Sequence, residues 1–511
     1  MHWSTEIASK LAERGGRQVI ETGTSISGIP HVGNASDVIR GDAVRKACIN
    51  AGLDVELIWV ADDSDPFRKV PEGMDSLKDY LGFPVKDIPD PHGCHKSFVD
   101  HFVEGFIGDL AEFGVEPKIY SGTDLYRDGS LNEGIETAFQ DAGKIRDILN
   151  KFRREPLPDD WIPWTPICSS CGRISTTRVT GVDGMNVSYV CESTEISGGK
   201  ATGCGHEGVS DALKGEGKLP WRVEWAARWD HFKVTCEPFG KEHATVGGSY
   251  DTSKIISAEI YGWEPPVPVI YEFFTLNKDK ISSSKGNVIT LADWLGIAEP
   301  EVLKYFMYKR LAKQRDINLK VLTNLVDEYD NAERSFFAGN GDEDAVDIYR
   351  LSQVGEPRPL SVPFTLCAVL SQIIPASDTR VMIERAGLAG YVGFDGERLV
   401  RRVRLAGNWV EKYGPEYLLF RLNSIDEAAK EYAQLDDPLK ACLKHLAGEL
   451  GKDVSPKDFH KLIYETARAN DVEPPELFKA IYQSLIGKEK GPKAAMFLLS
   501  LGRDYLNSVF P

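Results

Sequence analysis

Glu21-Thr-Gly-Thr-Ser-Ile-Ser-Gly-Ile-Pro-His-Val-Gly-Asn34 is the stretch on which the fold turns. A short apolar run, Gln18-Val-Ile20, precedes it, and Ala35 to Ala51 follows with helical spacing of apolar residues. Strand, Gly/Pro-rich turn and helix, in that order, are how an open α/β sheet presents a nucleotide site. His31 and Asn34 stand three apart around Gly33, so both polar groups can face a ligand at the helix start while the glycine admits close backbone approach. A four-residue match of this kind arises by chance in many chains. Its meaning depends on what stands downstream.

The alternation continues outward from this turn. Val55-Glu-Leu-Ile-Trp-Val60 reads as a buried strand, followed by the acidic turn Asp62-Asp63-Ser64-Asp65-Pro66. Phe98 to Phe113 reads as a helix, Pro117-Lys-Ile-Tyr120 as a strand and Glu133 to Phe152 as one amphipathic helix. This βαβ rhythm predicts a Rossmann-like, doubly wound parallel sheet. From Ala298 onward the spacing is almost wholly helical, over Val302–Leu311, Leu322–Phe337, Arg380–Ala386, Ile425–Leu435, Leu439–Leu450, Phe459–Ala469 and Glu476–Leu485. No fixed period recurs, so a helical bundle is preferred to a solenoid, with Ala338 to Asp347 as a Gly/Asp-rich surface loop.

The chain has 511 residues, 42% of them hydrophobic and 27% charged, enough for several domains with sizeable cores. Its net charge of −17 argues against binding nucleic acid by bulk attraction. Three basic stretches stand against that background: Lys304 to Lys320, the arginines 401, 402 and 404, and Lys144 to Arg154. Each is either a local polyanion contact or a solvated helix face. The first sixteen residues have no apolar signal core, and no apolar run is long enough for a membrane span, which predicts a soluble, cytoplasmic protein.

Nine cysteines, an odd number partly arranged as C-x-x-C, favour metal sites in a reducing compartment over disulfides. Cys168-Ser-Ser-Cys171, then Cys191 and Cys204-Gly-His206, have the spacing of a small zinc ribbon, with Cys204 the fourth ligand and His206 in reserve. Between Asp87 and His101 fall three of the ten histidines; Asp90, Cys94, His95 and His101 offer a second donor set that zinc accepts, with His92 competing. The alternative for this second group is a polar loop whose histidines cap the next helix.

Trp221, Trp225 and Trp229 recur every four residues, a spacing that stacks them on one helical face, where core packing accounts for at least two. Arg222, Glu224, Arg228 and Asp230 lie between them. Gly240-Lys-Glu-His-Ala-Thr-Val-Gly-Gly-Ser-Tyr-Asp251 reads as a tight loop at a site. Val267 to Phe274 is a buried-strand pattern that leads to Lys280-Ile-Ser-Ser-Ser-Lys-Gly-Asn287, whose lysines and hydroxyls suit a transferring triphosphate.

The His-x-Gly-Asn turn and the Lys-Ile-Ser-Ser-Ser-Lys-Gly-Asn loop together resemble the two signatures of class I aminoacyl-tRNA synthetases. Glu-Thr-Gly-Thr, Pro-Trp-Arg-Val-Glu-Trp, Pro-Phe-Gly-Lys-Glu-His-Ala, Gly-Gly-Ser-Tyr-Asp, the Asp-Pro-x-Gly-Cys-His segment and the C-x-x-C ribbon narrow the resemblance to the class I lysyl-tRNA synthetase family. It implies a Rossmann-like catalytic domain in two parts, 1–160 and 219–297, around a zinc-binding insertion at 161–218. A helical junction, 298–350, and an all-α anticodon-binding domain, 351–511, would follow.

The resemblance also implies the activity: lysine and ATP form lysyl-adenylate, and the lysyl group passes to the 3′-end adenosine of tRNA(Lys). His31, Gly33 and Asn34, with Gly28 in the same turn, would hold ATP with Lys280, Ser282, Ser283 and Ser284. His31, Asn34, Lys280 and Lys285 would serve the chemistry. Ser283 stands where the family signature has its second lysine, and Lys285 is the nearest replacement. Gly23, Ser25, Trp221, His243 and Tyr271 match positions of the lysine pocket. Glu272, then Glu224 and Glu21, are candidates for receiving the substrate ammonium, and Asp251 for facing adenosine or lysine. Mg2+ would accompany ATP, zinc would occupy two structural sites, and the protein would act as a monomer. A glutamyl-type class I enzyme is the alternative, and it would need a basic amino-acid pocket.

Overall fold

Gln18–Thr24 forms strand β1, Val55–Ala61 strand β2 and Lys118–Ser121 strand β3 of a parallel sheet that Cys236–Gly240 (β4) and Val267–Tyr271 (β5) complete. The computed structural model describes residues 2–26, 28–281, 287–450 and 455–511. The sheet order is β5-β4-β1-β2-β3. The chain therefore winds from β1 to one side and later returns to build the other, and the reversal lies between β1 and β4. In open α/β sheets ligands bind at such a switch point, off the carboxyl ends of the strands.

Period-two geometry sorts β1 into two faces. Trp3–Arg14 forms helix α1, and Ile20 and Thr22 point to helix α2 (Ala35–Asn50), where Gly41 lets the helix approach: a Cβ there would lie 2.8 Å from Leu57 and 3.0 Å from Thr22. Glu21 and Gly23 point the other way, toward helix α3 (Trp221–Phe232), whose Trp225 and Trp229 are buried. β4 presents Glu237 and Phe239 on the face that also meets α3, with the Phe239 ring 5.5 Å from that of Trp225.

The chain clusters into two compact units, Met1–Leu291 with Met307–Ile317, and Ala292–Phe306 with Asn318–Pro511. The described part of the second unit is built from helices. Its longest, Gly396–Tyr413, buries Arg402, which pairs with Asp330 at 2.9 Å through both terminal nitrogens and with Glu299 at 2.6 Å. The arginine stretch at 401–404 is therefore not one exposed patch: residues 401 and 404 are exposed while Arg402 sits in the core. The stretch from Lys304 to Lys320 divides likewise, since Lys304 is buried and Arg310, Lys313 and Lys320 are exposed.

Two other expectations change. Glu133 to Phe152 is not one helix but two, Asn132–Gln140 and Ala142–Asn150, broken at Asp141. Both bury apolar residues on one side, Ile135 and Ala138 in the first and Ile145, Ile148 and Leu149 in the second, so the apolar spacing runs on across the break. The loop expected at 338–347 ends early, at Glu343, where a helix runs to Ser352.

Candidate active site

A cavity of about 690 Å³ opens at the carboxyl ends of β1, β4 and β5. Gly23, Ser25, His31, Gly33, Asn34, Trp221, His243 and Tyr271 all line it, although they come from segments almost 250 positions apart. Gly28 lies in the turn between β1 and α2 without lining the cavity.

The turn itself is a donor device. The Gly33 N–H donates to His31 Nδ1 at 3.0 Å, so in the neutral ring the proton sits on Nε2. Burial pulls the His31 pKa down to about 4, which keeps that ring neutral near pH 7. The His31 N–H donates to Asn34 Oδ1 at 3.1 Å, which leaves the Asn34 amide N–H2 free to donate. A Cβ on Gly33 would lie 2.7 Å from the His31 ring, so only glycine allows the imidazole to fold over this backbone. The turn thus offers two neutral N–H donors at the start of α2, whose dipole favours an anion there.

The opposite wall is acidic and aromatic. Arg228 is fully buried, 2.8 Å from Glu21 and 2.6 Å from Asp62, with Glu224 at 3.6 Å. Buried Lys218 pairs with Asp65 at 2.5 Å and Glu224 at 2.9 Å. Glu237 accepts the indole N–H groups of Trp225 at 2.8 Å and Trp229 at 2.5 Å. Trp221 stacks on Trp225 with ring centroids 5.1 Å apart. Glu21 and Gly23 lie on a strand that the sequence shows, but Glu237 carries no sequence signal, because Cys-Glu-Pro-Phe-Gly has too few apolar residues to read as a strand.

Tyr271 donates to Asp37 Oδ1 at 2.5 Å, with the Arg40 guanidinium 4.0 Å above its ring. Loss of solvent around the Asp37 carboxyl raises its pKa to about 7, against the Tyr271 hydrogen bond and Arg40, although the residue as a whole is half-buried. A folded-state pKa above the unfolded value of roughly 3.9 gives stability that is present at low pH and lost as pH rises through about 7. Asp37→Asn keeps an acceptor for Tyr271 and removes the charge. The variant is expected to melt above the parent at pH 8, with the gap closing toward pH 5. Melting curves across that range check it, and a gap that widens at low pH contradicts it.

Other expected site residues lie elsewhere. Glu272 pairs with Lys241 at 2.6 Å and does not line the cavity, and Asp251 pairs with Lys254 at 2.5 Å. Lys280 ends a short strand, exposed, with its ammonium 5.8 Å from the centre of the Phe273 ring. Ser282, Ser283, Ser284 and Lys285 lie outside the described residues.

Among the described residues, two side-chain groups have metal-ligand geometry. A tetrahedral zinc with Zn–S of about 2.3 Å has S···S edges of about 3.8 Å. Cys168 and Cys204 are 3.7 Å apart, as are Cys171 and Cys191, and the core around them is small, made of Cys168, Tyr189 and Cys191 with Cys171 against it. His206 instead meets Ser169 at 3.1 Å. In the second group Cys94 Sγ lies 3.1 Å from His95 Nδ1, 3.2 Å from His101 Nδ1 and 3.2 Å from Asp90 Oδ2. The two Nδ1 atoms are 3.3 Å apart and each is 3.7 Å from Asp90 Oδ2. Mixed N/O/S tetrahedra have edges of about 3.4–3.6 Å, so this set also fits one ion. His95 Nε2 meets Glu104 at 2.7 Å, an arrangement that turns Nδ1 toward the group. His92 stays out of it, stacked on the His101 ring.

The sequence profile of the tRNA synthetases class I (K) matches residues 1–355. A lysine–tRNA ligase of Methanosphaera stadtmanae is 36% identical, covering 99% of this chain and 98% of that protein. One from Methanocaldococcus jannaschii is 37% identical over the same shares, and one from Methanococcus maripaludis 35%. Among solved structures, a glutamate–tRNA ligase from Elizabethkingia meningosepticum covers 97% of this chain and 98% of its own at 12% identity, with a TM-score of 0.41, too loose to carry an assignment. On the profile match and these full-length relatives, the chain belongs to the class I tRNA synthetases of type K.

Proposed function

We propose that this chain ligates L-lysine to tRNA(Lys) in protein synthesis. The lysine carboxylate attacks the α-phosphorus of ATP, pyrophosphate leaves, and a hydroxyl of the terminal tRNA adenosine then takes the lysyl group and releases AMP. One observation carries the choice of amino acid: Asp37, Asp62, Asp65, Glu237 and Glu242 line the cavity against three cations, Arg68, Lys218 and Arg228, and two of those cations also pair with the buried Glu21 and Glu224. Five carboxylates against three cations suit a substrate with two ammonium groups and one carboxylate, and they oppose a glutamate side chain.

His31 and Asn34 donate to the α-phosphate as charge builds there, and Gly28 and Gly33 shape the turn. Lys280, Ser282, Ser283, Ser284 and Lys285 meet the leaving pyrophosphate. No general base is needed at this step, because the lysine carboxylate is already ionised. Gly23 and Ser25 border the amino acid, Trp221 and Tyr271 cover its stem, and His243 closes that side. Glu272 is the weakest of these assignments physically, since its carboxylate already holds Lys241. Mg2+ neutralises the triphosphate when bound.

Cys168, Cys171, Cys191 and Cys204 would hold one zinc within the insertion at 161–218, and Asp90, Cys94, His95 and His101 a second within the first part of the catalytic domain, 1–160. Residues 298–350 would form the junction and 351–511 read the anticodon, with exposed Arg310 and Lys313 available to tRNA phosphates. Among the described residues no helix is long and apolar enough to cross a membrane. A cytoplasmic monomer fits this role.

Charging a tRNA(Lys) transcript with lysine and with glutamate, alongside elemental analysis, tests the reading. Lysine alone should be attached, with two zinc ions per chain. Charging with glutamate overturns the substrate, and a single zinc removes the metal from the Asp90 group.

A further inference from the structure

Resting on the lysine reading above, we infer that Glu237 is the residue that receives the substrate's side-chain ammonium and so sets the enzyme's specificity for lysine. Glu21 and Asp62 are held by Arg228, Asp65 by Lys218, and Glu224 by both cations. Glu272 is outside the cavity, bound to Lys241; of the other carboxylates that line it, Asp37 accepts from the Tyr271 hydroxyl and feels the Arg40 charge, and Glu242 is exposed to water. Glu237 differs from all of these. It is 4% exposed, it lines the cavity, and its partners are two neutral indole N–H groups. No cation lies within 4.0 Å of it among the described residues.

Its position follows from register. Ile20 is opposite Cys236 in the parallel pair of β1 and β4, so Glu21 and Glu237 come next, side by side on one face. Arg228 lies 2.8 Å from the first and makes no ion pair with the second. Two buried carboxylates then share one wall, and only Glu21 is in ion-pair contact with Arg228, whose charge reaches Glu237 at longer range. Burial and the neighbouring Glu21 hold the Glu237 carboxyl well above the usual range. An ammonium brought by the substrate removes that cost.

The two indoles take two of the roughly four lone-pair directions of the carboxylate, which leaves acceptors for a third donor. The surroundings suit a four-carbon stem that ends in a cation. Trp221 and Trp225 stack at 5.1 Å, and Phe239 and His243 stand 5.5 Å and 5.6 Å from the Trp225 ring. Aromatic faces cover methylene groups and favour a nearby cation, while the carboxylate supplies the one directional, charged contact. An uncharged side chain of equal length would fill the slot and leave Glu237 buried without its partner. Sites built around a polar contact reject analogues that lack it far more strongly than apolar slots reject a missing methylene.

The test is steady-state aminoacylation of a tRNA(Lys) transcript by the full chain, wild type and Glu237→Gln, with norleucine as a competitor that lacks the ammonium. Glu237→Gln keeps an acceptor for an indole, and it should raise the KM for lysine by about 100-fold or more while the KM for ATP stays within about twofold. Norleucine should compete at least as well against the variant as against the wild type. A lysine KM within about threefold of wild type overturns the assignment. If Glu237→Gln fails to fold, Glu237→Asp decides: it draws the carboxylate back by one methylene, so homolysine should gain on lysine, and an unchanged lysine-to-homolysine ratio overturns it. A wild-type chain that does not charge lysine at all overturns the functional reading and this inference with it, whereas a lysine-specific wild type with an indifferent Glu237→Gln overturns the inference alone.

Discussion

Arg228→Met is expected to destabilise the first unit by about 3–5 kcal/mol, the usual cost of removing one partner from a buried ion pair. The guanidinium is fully buried and stands between Glu21 at 2.8 Å and Asp62 at 2.6 Å, with Glu224 a turn away on its own helix. Methionine fills much of the volume, so the loss reads charge rather than a cavity. The effect has a sign in pH. Without Arg228 the orphaned carboxylates have raised folded-state pKa values, so their contribution to stability survives at low pH and is lost as pH rises. Denaturant unfolding followed by tryptophan fluorescence, which reports Trp225 and Trp229 beside this cluster, should therefore give a larger loss at pH 8 than at pH 5. A loss below about 1 kcal/mol at both pH values contradicts the view that Arg228 holds this wall together.

His31→Ala should lower the turnover of lysine-dependent adenylate formation by about 10²–10³, the cost of removing one preorganised donor to developing charge, with the KM for lysine little changed. His31→Gln should recover part of the loss, because its amide can place an N–H near the position of Nε2–H. The state of the ring supplies a second readout. With its pKa pulled down to about 4, His31 is neutral throughout the range from pH 6 to 9, so its ionisation gives no step in the rate there. A step near pH 6.5 that disappears in His31→Ala would mean the imidazolium is the working form. Asn34→Ala removes the neighbouring donor and should cost a similar factor.

Much of this site could be read from local pattern. His31, Gly33 and Asn34 are three positions of one turn, and the turn's chemistry depends on neighbours in sequence: a backbone N–H two residues on and an amide three residues on. The C-x-x-C knuckle is similarly local, and the four cysteines lie together. The strands β1, β2 and β3 carry enough apolar residues to be recognised. β4 does not, since Cys-Glu-Pro-Phe-Gly resembles a loop, and it is a strand because the sheet's neighbours and α3 bury it on all sides. The arginines at 401, 402 and 404 read as one exposed basic cluster in the sequence for a related reason. Helical period turns Arg402 inward between two exposed arginines, and only the presence of Glu299 and Asp330 makes that burial tolerable.

By itself the sequence determined the kind of sheet, the two donors of the first turn, the two side-chain clusters that could hold a metal and the family to which the chain belongs. Those rest on spacing along the chain and on side-chain chemistry that neighbours alone can satisfy. Only the tertiary structure decided which carboxylates are neutralised and which is left for a substrate. The partners of Arg228 lie as far as 207 residues away, from Glu21 to Arg228, and no spacing rule links them. Charge pairing in a buried site depends on distances of a few ångströms, and a one-residue shift in the register of β1 against β4 would separate Glu21 from Glu237 and close the acidic wall.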